Sequence, residues 1–157
     1  MDSQLQTLYE FSATVEADTL SERAVHHMIR LQAHPLRAVR VLGVAIDLDD
    51  LREASALRVR FLADQRHLRG YEQPKVESIG QVPVRNMTQV SCRLRNVPGD
   101  EYIPGLDIAV PALSRRHEER FEAPRAPVVS PGETIDAVLE TGKRPVGRVA
   151  FTVFFDE

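Results

Sequence analysis

The side chains through which this sequence could do chemistry are five histidines, one cysteine and a short run of aspartates. His26, His27, His34, His67 and His117 contain no His-x-His pair and no His-Glu-x-x-His motif, and the two-His-plus-Glu spacing of a metal-binding cupin is missing. His26 and His27 are adjacent, so on a strand they point to opposite faces and cannot ligate one ion. They read as ordinary surface or half-buried histidines. Asp47, Asp49 and Asp50 offer clustered oxygens for Ca²⁺ or Mg²⁺, but the glycine and distal glutamate of an EF-hand loop are absent. Capping of a short helix accounts for them more simply. Cys92 alternates with apolar neighbours and has no histidine near it in sequence, which suits a small buried hydrophobe. A single cysteine can form neither an internal disulfide nor a thiolate zinc cluster. No Gly-x-Ser-x-Gly elbow and no glycine-rich phosphate loop occurs. Carboxylate pairs for glycosidic chemistry cannot be singled out, because any β-sandwich brings many carboxylates together. The sequence therefore assigns no catalytic residue, no cofactor-binding residue and no metal ligand, and it predicts a protein that is not an enzyme.

The elements that position these side chains are strands. Tyr9, Phe11, Ala13 and Val15 alternate with Glu10, Ser12 and Thr14, the period of a strand with one buried face. The same alternation recurs over Leu57–Ala63, Val90–Leu94, Ile135–Leu139 and Val149–Phe155. Val39–Ile46 is nearly continuously apolar and suits a strand covered on both sides. Val76–Val84, Tyr102–Val110 and Arg120–Val129 are weaker candidates. Residues 19–32 carry two patterns. Thr19-Leu20-Ser21-Glu22 has the capping-box arrangement of a helix, yet Val25, His27, Ile29 and Leu31 alternate as a strand, and the neighbouring strands favour the second. Asp47–Ala54 reads as a short capped helical turn. Asn96-Val97-Pro98-Gly99-Asp100 and Ser130-Pro131-Gly132-Glu133 are turns, with proline where φ is preset and glycine where it can be positive. Nine of the ten prolines follow residue 73, which places long loops and edge segments in the second half, above all over Tyr102–Pro131. The prediction is an all-β fold: an antiparallel two-sheet β-sandwich of jelly-roll type with one short helix near 48–55. One domain spans 1–157, with 1–7 as a flexible or partner-contacting segment.

Charge narrows the partners. Twenty Lys and Arg stand against 23 Asp and Glu, for a net charge of -3, and no basic stripe marks a nucleic-acid surface. No apolar run reaches the length of a membrane span, and Met1-Asp2-Ser3-Gln4 opens neither a signal peptide nor a myristoylation site. The cations are skewed to arginine, with only Lys75 and Lys143 as lysines; codon bias in a GC-rich genome and selection for robustness both account for that.

What remains is the exterior. Ser114-Arg115-Arg116-His117-Glu118-Glu119-Arg120 is the densest charge cluster and follows Pro111, so it is expected on a projecting loop. It is either a solvated loop with internal ion pairing or a charged docking surface. Phe154 sits on the polar side of the last strand, and Leu8, Leu62 and Val138 are likewise apolar on otherwise polar faces. Clustered in space, such residues mark an oligomer interface or a covering loop. Arg115, Arg116, Glu118, Glu119 and Phe154 are accordingly the candidate contact residues.

Several stretches resemble the jelly-roll or β-sandwich accessory proteins of tailed-phage virions, such as capsid decoration (cementing) proteins. They are Tyr9-Glu10-Phe11-Ser12-Ala13-Thr14-Val15, the apolar Val41-Leu42-Gly43-Val44-Ala45-Ile46, Tyr102-Ile103-Pro104-Gly105-Leu106, Pro131-Gly132-Glu133-Thr134-Ile135 and the closing strand. The resemblance implies a non-enzymatic, homotrimeric protein with no cofactor, located on the virion if phage-encoded and otherwise cytoplasmic. Its partners would be other protein subunits, the major capsid protein first among them, with neither nucleic acid nor membrane involved. Contacts made only in the assembled shell stabilise that state by mass action, and several copies gain from effective concentration. The alternatives are a carbohydrate- or peptide-binding sandwich module, for which the lack of Trp leaves few aromatic platforms, and a cupin-like enzyme.

Overall fold

The computed structural model describes residues 9–17, 20–48, 57–63, 70–80, 85–94, 103–110, 115–142 and 146–157. Every helix-or-strand element among them is a strand: β1 (Glu10–Ala17), β2 (Val25–Gln32), β3 (Val39–Leu48), β4 (Arg58–Ala63), β5 (Gly70–Glu72), β6 (Lys75–Ile79), β7 (Gln89–Leu94), β8 (Ile108–Ala109), β9 (Arg116–Arg120), β10 (Val128–Val129), β11 (Thr134–Glu140) and β12 (Val149–Asp156). Sheet I is ordered β6-β1-β12-β3, with β9 and β10 both lying along the far side of β3. Sheet II is ordered β5-β7-β2-β11-β4-β8. Every pairing is antiparallel, and the two sheets pack as a β-sandwich. The pairs are nested: β1 with β12 and β3 with β12 in one sheet, β2 with β11 and β4 with β11 in the other.

The alternation seen in the sequence becomes the core. Phe11, Ala13 and Val15 of β1 point inward with Phe151, Val153 and Phe155 of β12, against Ile29 and Leu31 of β2, Val59 and Phe61 of β4, and Leu139 of β11. Phe11 and Phe155 stack with ring centroids 5.4 Å apart. Phe61 meets Phe121 edge-on at 6.0 Å, tying sheet II to the segment that joins β9 to β10. Truncating such a buried ring typically costs about 3–5 kcal/mol. The segment 25–32 is a strand, as its alternation favours, but two bulges interrupt the period. Met28 has no partner opposite it on β11 and Leu42 none on β12. The first lets consecutive residues Met28 and Ile29 both enter the core, which simple alternation forbids.

Three expectations need correction. The charge cluster expected on a projecting loop contains strand β9, which runs along β3 from Asp47 to Gly43. The cause is cross-strand ion pairing, a term that apolar periodicity does not register. Over the weaker candidates, only Ile108–Ala109 and Val128–Val129 are strand within 103–110 and 121–129. Prolines 104, 124 and 127 remove the ladder donors there. Asp47 and Leu48 are the last residues of β3 rather than the opening of a helix; the remainder of the helix expected near 48–55 lies outside the described residues, as do residues 1–7 and Leu8.

Part of the outward side of sheet II is also closed. Leu62, Val138 and Asp136 are wholly buried and Arg30 nearly so, although they alternate with core residues on their strands. Leu62 and Val138, read from sequence as candidates for an interface or a covered face, are thus covered within the chain.

Candidate functional site

The outer side of sheet I is open: Arg116, Glu118 and Arg120 are all exposed along it. Antiparallel register sets the outer side of sheet I in rows. Arg116 lies beside Asp47, Ala150 and Glu16; Glu118 beside Ala45, Thr152 and Thr14; Arg120 beside Gly43, Phe154 and Ser12. Arg116 donates to Asp47 Oδ2 at 2.6 Å and to Glu118 Oε1 at 2.9 Å, and these hydrogen bonds raise its pKa above the ordinary arginine value. Arg148 pairs with Glu16 at 3.0 Å and Arg40 with Asp156 at 2.6 Å. Thr14 and Thr152 share a hydroxyl hydrogen bond of 2.9 Å.

Gly43 organises the centre of this face. A Cβ there would stand 2.5 Å from the Glu119 carbonyl oxygen and 3.0 Å from Arg120 Cδ. Its absence lets β9 come close and lets Arg120 lie across β3. The Arg120 guanidinium rests 3.9 Å from the centroid of Phe154 and donates to Glu10 Oε1 at 2.6 Å, on β1. One side chain thus spans three strands, and Phe154 is 7% exposed beneath it.

The five residues singled out from sequence therefore divide. Arg116, Glu118 and Phe154 share the outer face of sheet I. Glu119 points to the other side of β9, where Arg125 and His117 approach it at 3.6 and 3.7 Å. Arg115 is exposed before β9, and its carbonyl accepts the Leu48 N–H at 2.7 Å.

A second region escaped the sequence reading. The starts of β1, β3, β7 and β11 and the ends of β2, β6 and β12 meet at one end of the sandwich, here called the near pole. Six large apolar side chains are exposed among the described residues, and five of them are here: Tyr9, Leu36, Ile79, Met87 and Val128. Leu36 is 82% exposed, at the turn between β2 and β3. Arg37 Nη1 reaches Met87 Sδ at 3.8 Å. Met87 is held in turn by Glu157, whose Oε1 accepts the Met87 N–H at 2.5 Å. Glu157 Oε2 accepts both the N–H and the hydroxyl of Thr88, at 2.8 and 2.5 Å. Tyr9 and Glu157 exchange backbone hydrogen bonds, and Ile79 pairs beside them with Glu10. Beside this set a cleft of about 300 Å³ opens between the edge of sheet I and the start of β7, lined by Gln73, Val76, Arg85, Asn86 and Gln89 among others. The only sequence signal for this pole was Met87 standing in the polar run Arg85-Asn86-Met87-Thr88-Gln89; nothing in the sequence tells which carboxylate would hold it.

Elsewhere, the Cys92 thiol is buried. His26 Nε2 lies 3.1 Å from the Ser21 carbonyl, and His34 Nδ1 accepts the Leu36 N–H. Among the described residues no three His, Cys, Asp or Glu side chains converge as a metal site would require. The chain matches no family model, and no curated protein matches it.

Proposed function

We propose that this chain is a non-enzymatic structural protein that works by binding other protein subunits, in the manner of a capsid decoration protein of a tailed phage. The observation that carries the reading is the near pole. A monomer scatters its exposed apolar side chains, whereas five of the six here share one end of a well-packed sandwich. Exposed apolar side chains concentrated at one end of a domain suit contact with another macromolecule. The virion form of the reading draws support from strand order. Sheet I contains β1-β12-β3 and sheet II contains β2-β11-β4, the nesting expected of a jelly roll, an architecture common in capsid proteins. On this reading the protein is a homotrimer whose shell partner is the major capsid protein. A peptide-binding sandwich module is the second reading, favoured by the cleft beside Val76 and Arg85.

The test joins solution mass with genetic context. A trimer encoded beside portal and major capsid genes is the expected result. A monomer at micromolar concentration, encoded within a sugar-utilisation operon, contradicts the proposal.

A further inference from the structure

We infer that the near pole takes an acidic, extended segment of a different protein chain, bound through Arg85 and Arg37 beside Met87. This rests on the reading of the pole as a protein-binding surface and adds the chemistry of what binds there. The argument is one of charge. On sheet I the carboxylates and guanidinium groups answer one another: Arg116 with Asp47 and Glu118, Arg120 with Glu10, Arg40 with Asp156 and Arg148 with Glu16. At the pole they do not. Among the described residues the Arg85 guanidinium has no hydrogen-bond or ion-pair partner, and the Arg37 guanidinium donates only to the Met87 sulfur. Glu10 and Asp156 are engaged by arginines and Glu157 by Met87 and Thr88, and no described carboxylate pairs with Arg37 or Arg85. Glu157 is 5% exposed and offsets at most one of the two cations.

Two guanidinium groups therefore flank apolar surface with no carboxylate paired to either among the described residues. Planar guanidinium favours carboxylate, and bidentate pairing adds geometric selectivity. Arg85 also lines the cleft with Gln73, Asn86 and Gln89, and Val76 and Val90 supply apolar lining. That lining suits a strand with acidic and apolar residues in alternation. Arg23 and Arg115 also lack a carboxylate among the described residues, but they lie at the opposite pole, where Val25 is the one exposed large apolar side chain described. A second copy fits less well, because the carboxylates that this chain presents on sheet I are engaged by its own arginines.

The test is a titration of the isotopically labelled full chain with the capped peptide Ac-Leu-Glu-Val-Asp-Leu-NH2, followed by amide chemical shifts. Its neutral counterpart Ac-Leu-Gln-Val-Asn-Leu-NH2 serves as the control. Saturable shifts centred on Arg37 and Arg85–Gln89 are expected, with binding about tenfold weaker for the neutral peptide and falling as salt rises. The Arg37→Glu/Arg85→Glu variant should lose binding, while Arg115→Glu, at the other pole, should keep it. Equal binding of the two peptides, shifts elsewhere, or no binding overturns the inference, and the comparison between peptides decides it even if the double variant fails to fold. Self-association abolished by the double variant would make a second copy the occupant and also overturns it. A trimer that ignores the peptide refutes this inference alone; a monomer that binds it refutes the virion reading and leaves the inference standing.

Discussion

Each sheet of the sandwich carries Arg–carboxylate pairs, and two of them, one on the outward side of each sheet, differ sharply in exposure. On sheet II, Arg30 meets Asp136 through two parallel hydrogen bonds of 2.7 and 2.8 Å, with side chains 6% and 0% exposed. On sheet I, Arg116 meets Asp47 at a similar 2.6 Å, with side chains 51% and 42% exposed. Distance alone would rank them as equals. Solvent separates them, because a buried pair has given up hydration that only its partner restores, whereas exposed charges are screened whether paired or not. The buried pair thus fixes how β2 and β11 align under a covered face. The exposed lattice keeps the face of sheet I hydrated and in register at little gain in stability.

Substitutions should widen that contrast. Asp136→Ala removes both of these hydrogen bonds from a buried guanidinium and is expected to cost about 3–5 kcal/mol in chemical denaturation, the largest effect of the set. Gly43→Ala comes next: the added Cβ must push β9 away from β3, with an expected loss of about 1–3 kcal/mol. It should also lift Arg120 from Phe154, visible as a changed ring-current shift of the Arg120 side chain. Glu157→Gln keeps the shape but removes the charge from three hydrogen bonds, for roughly 1.5 kcal/mol, and should raise amide exchange at Met87 and Thr88. Arg116→Ala is expected to cost less than about 1 kcal/mol, and moderate salt should remove most of the difference. An Arg116→Ala cost matching that of Asp136→Ala would dissolve the contrast between the faces.

The same lattice predicts a flat response to mild pH change. Arg40, Lys75 and Arg116 are held above their ordinary values by hydrogen bonds to Asp156, Glu77 and Asp47. A raised folded pKa gives stability that is complete below the unfolded value and lost only as pH climbs through the folded one. For these groups that window is strongly alkaline, so titration near neutrality should leave their contribution unchanged.

The sandwich was legible because alternation is the direct imprint of a one-sided core: Phe11, Ala13 and Val15 announce β1, and Phe151, Val153 and Phe155 announce β12. What alternation could not carry is of three kinds. Bulges at Met28 and Leu42 change the face of following residues without changing composition. Strand β9 is a run of charges whose pairing depends on β3, seventy or so residues earlier in the chain. The near pole depends on contacts such as Glu157 with Thr88, which join residues far apart in sequence and leave no local pattern. Phe154 shows the limit most clearly. Its apolar character on a polar strand face was visible in the sequence, but its cover is a cation that reaches it only because Gly43 lacks a side chain.

The proposed function has the exterior hold other protein subunits. Light scattering on the purified chain during size-exclusion chromatography at micromolar concentration tests it most directly. The account predicts the mass of a trimer, unchanged on moderate dilution; a single-chain mass throughout would contradict it.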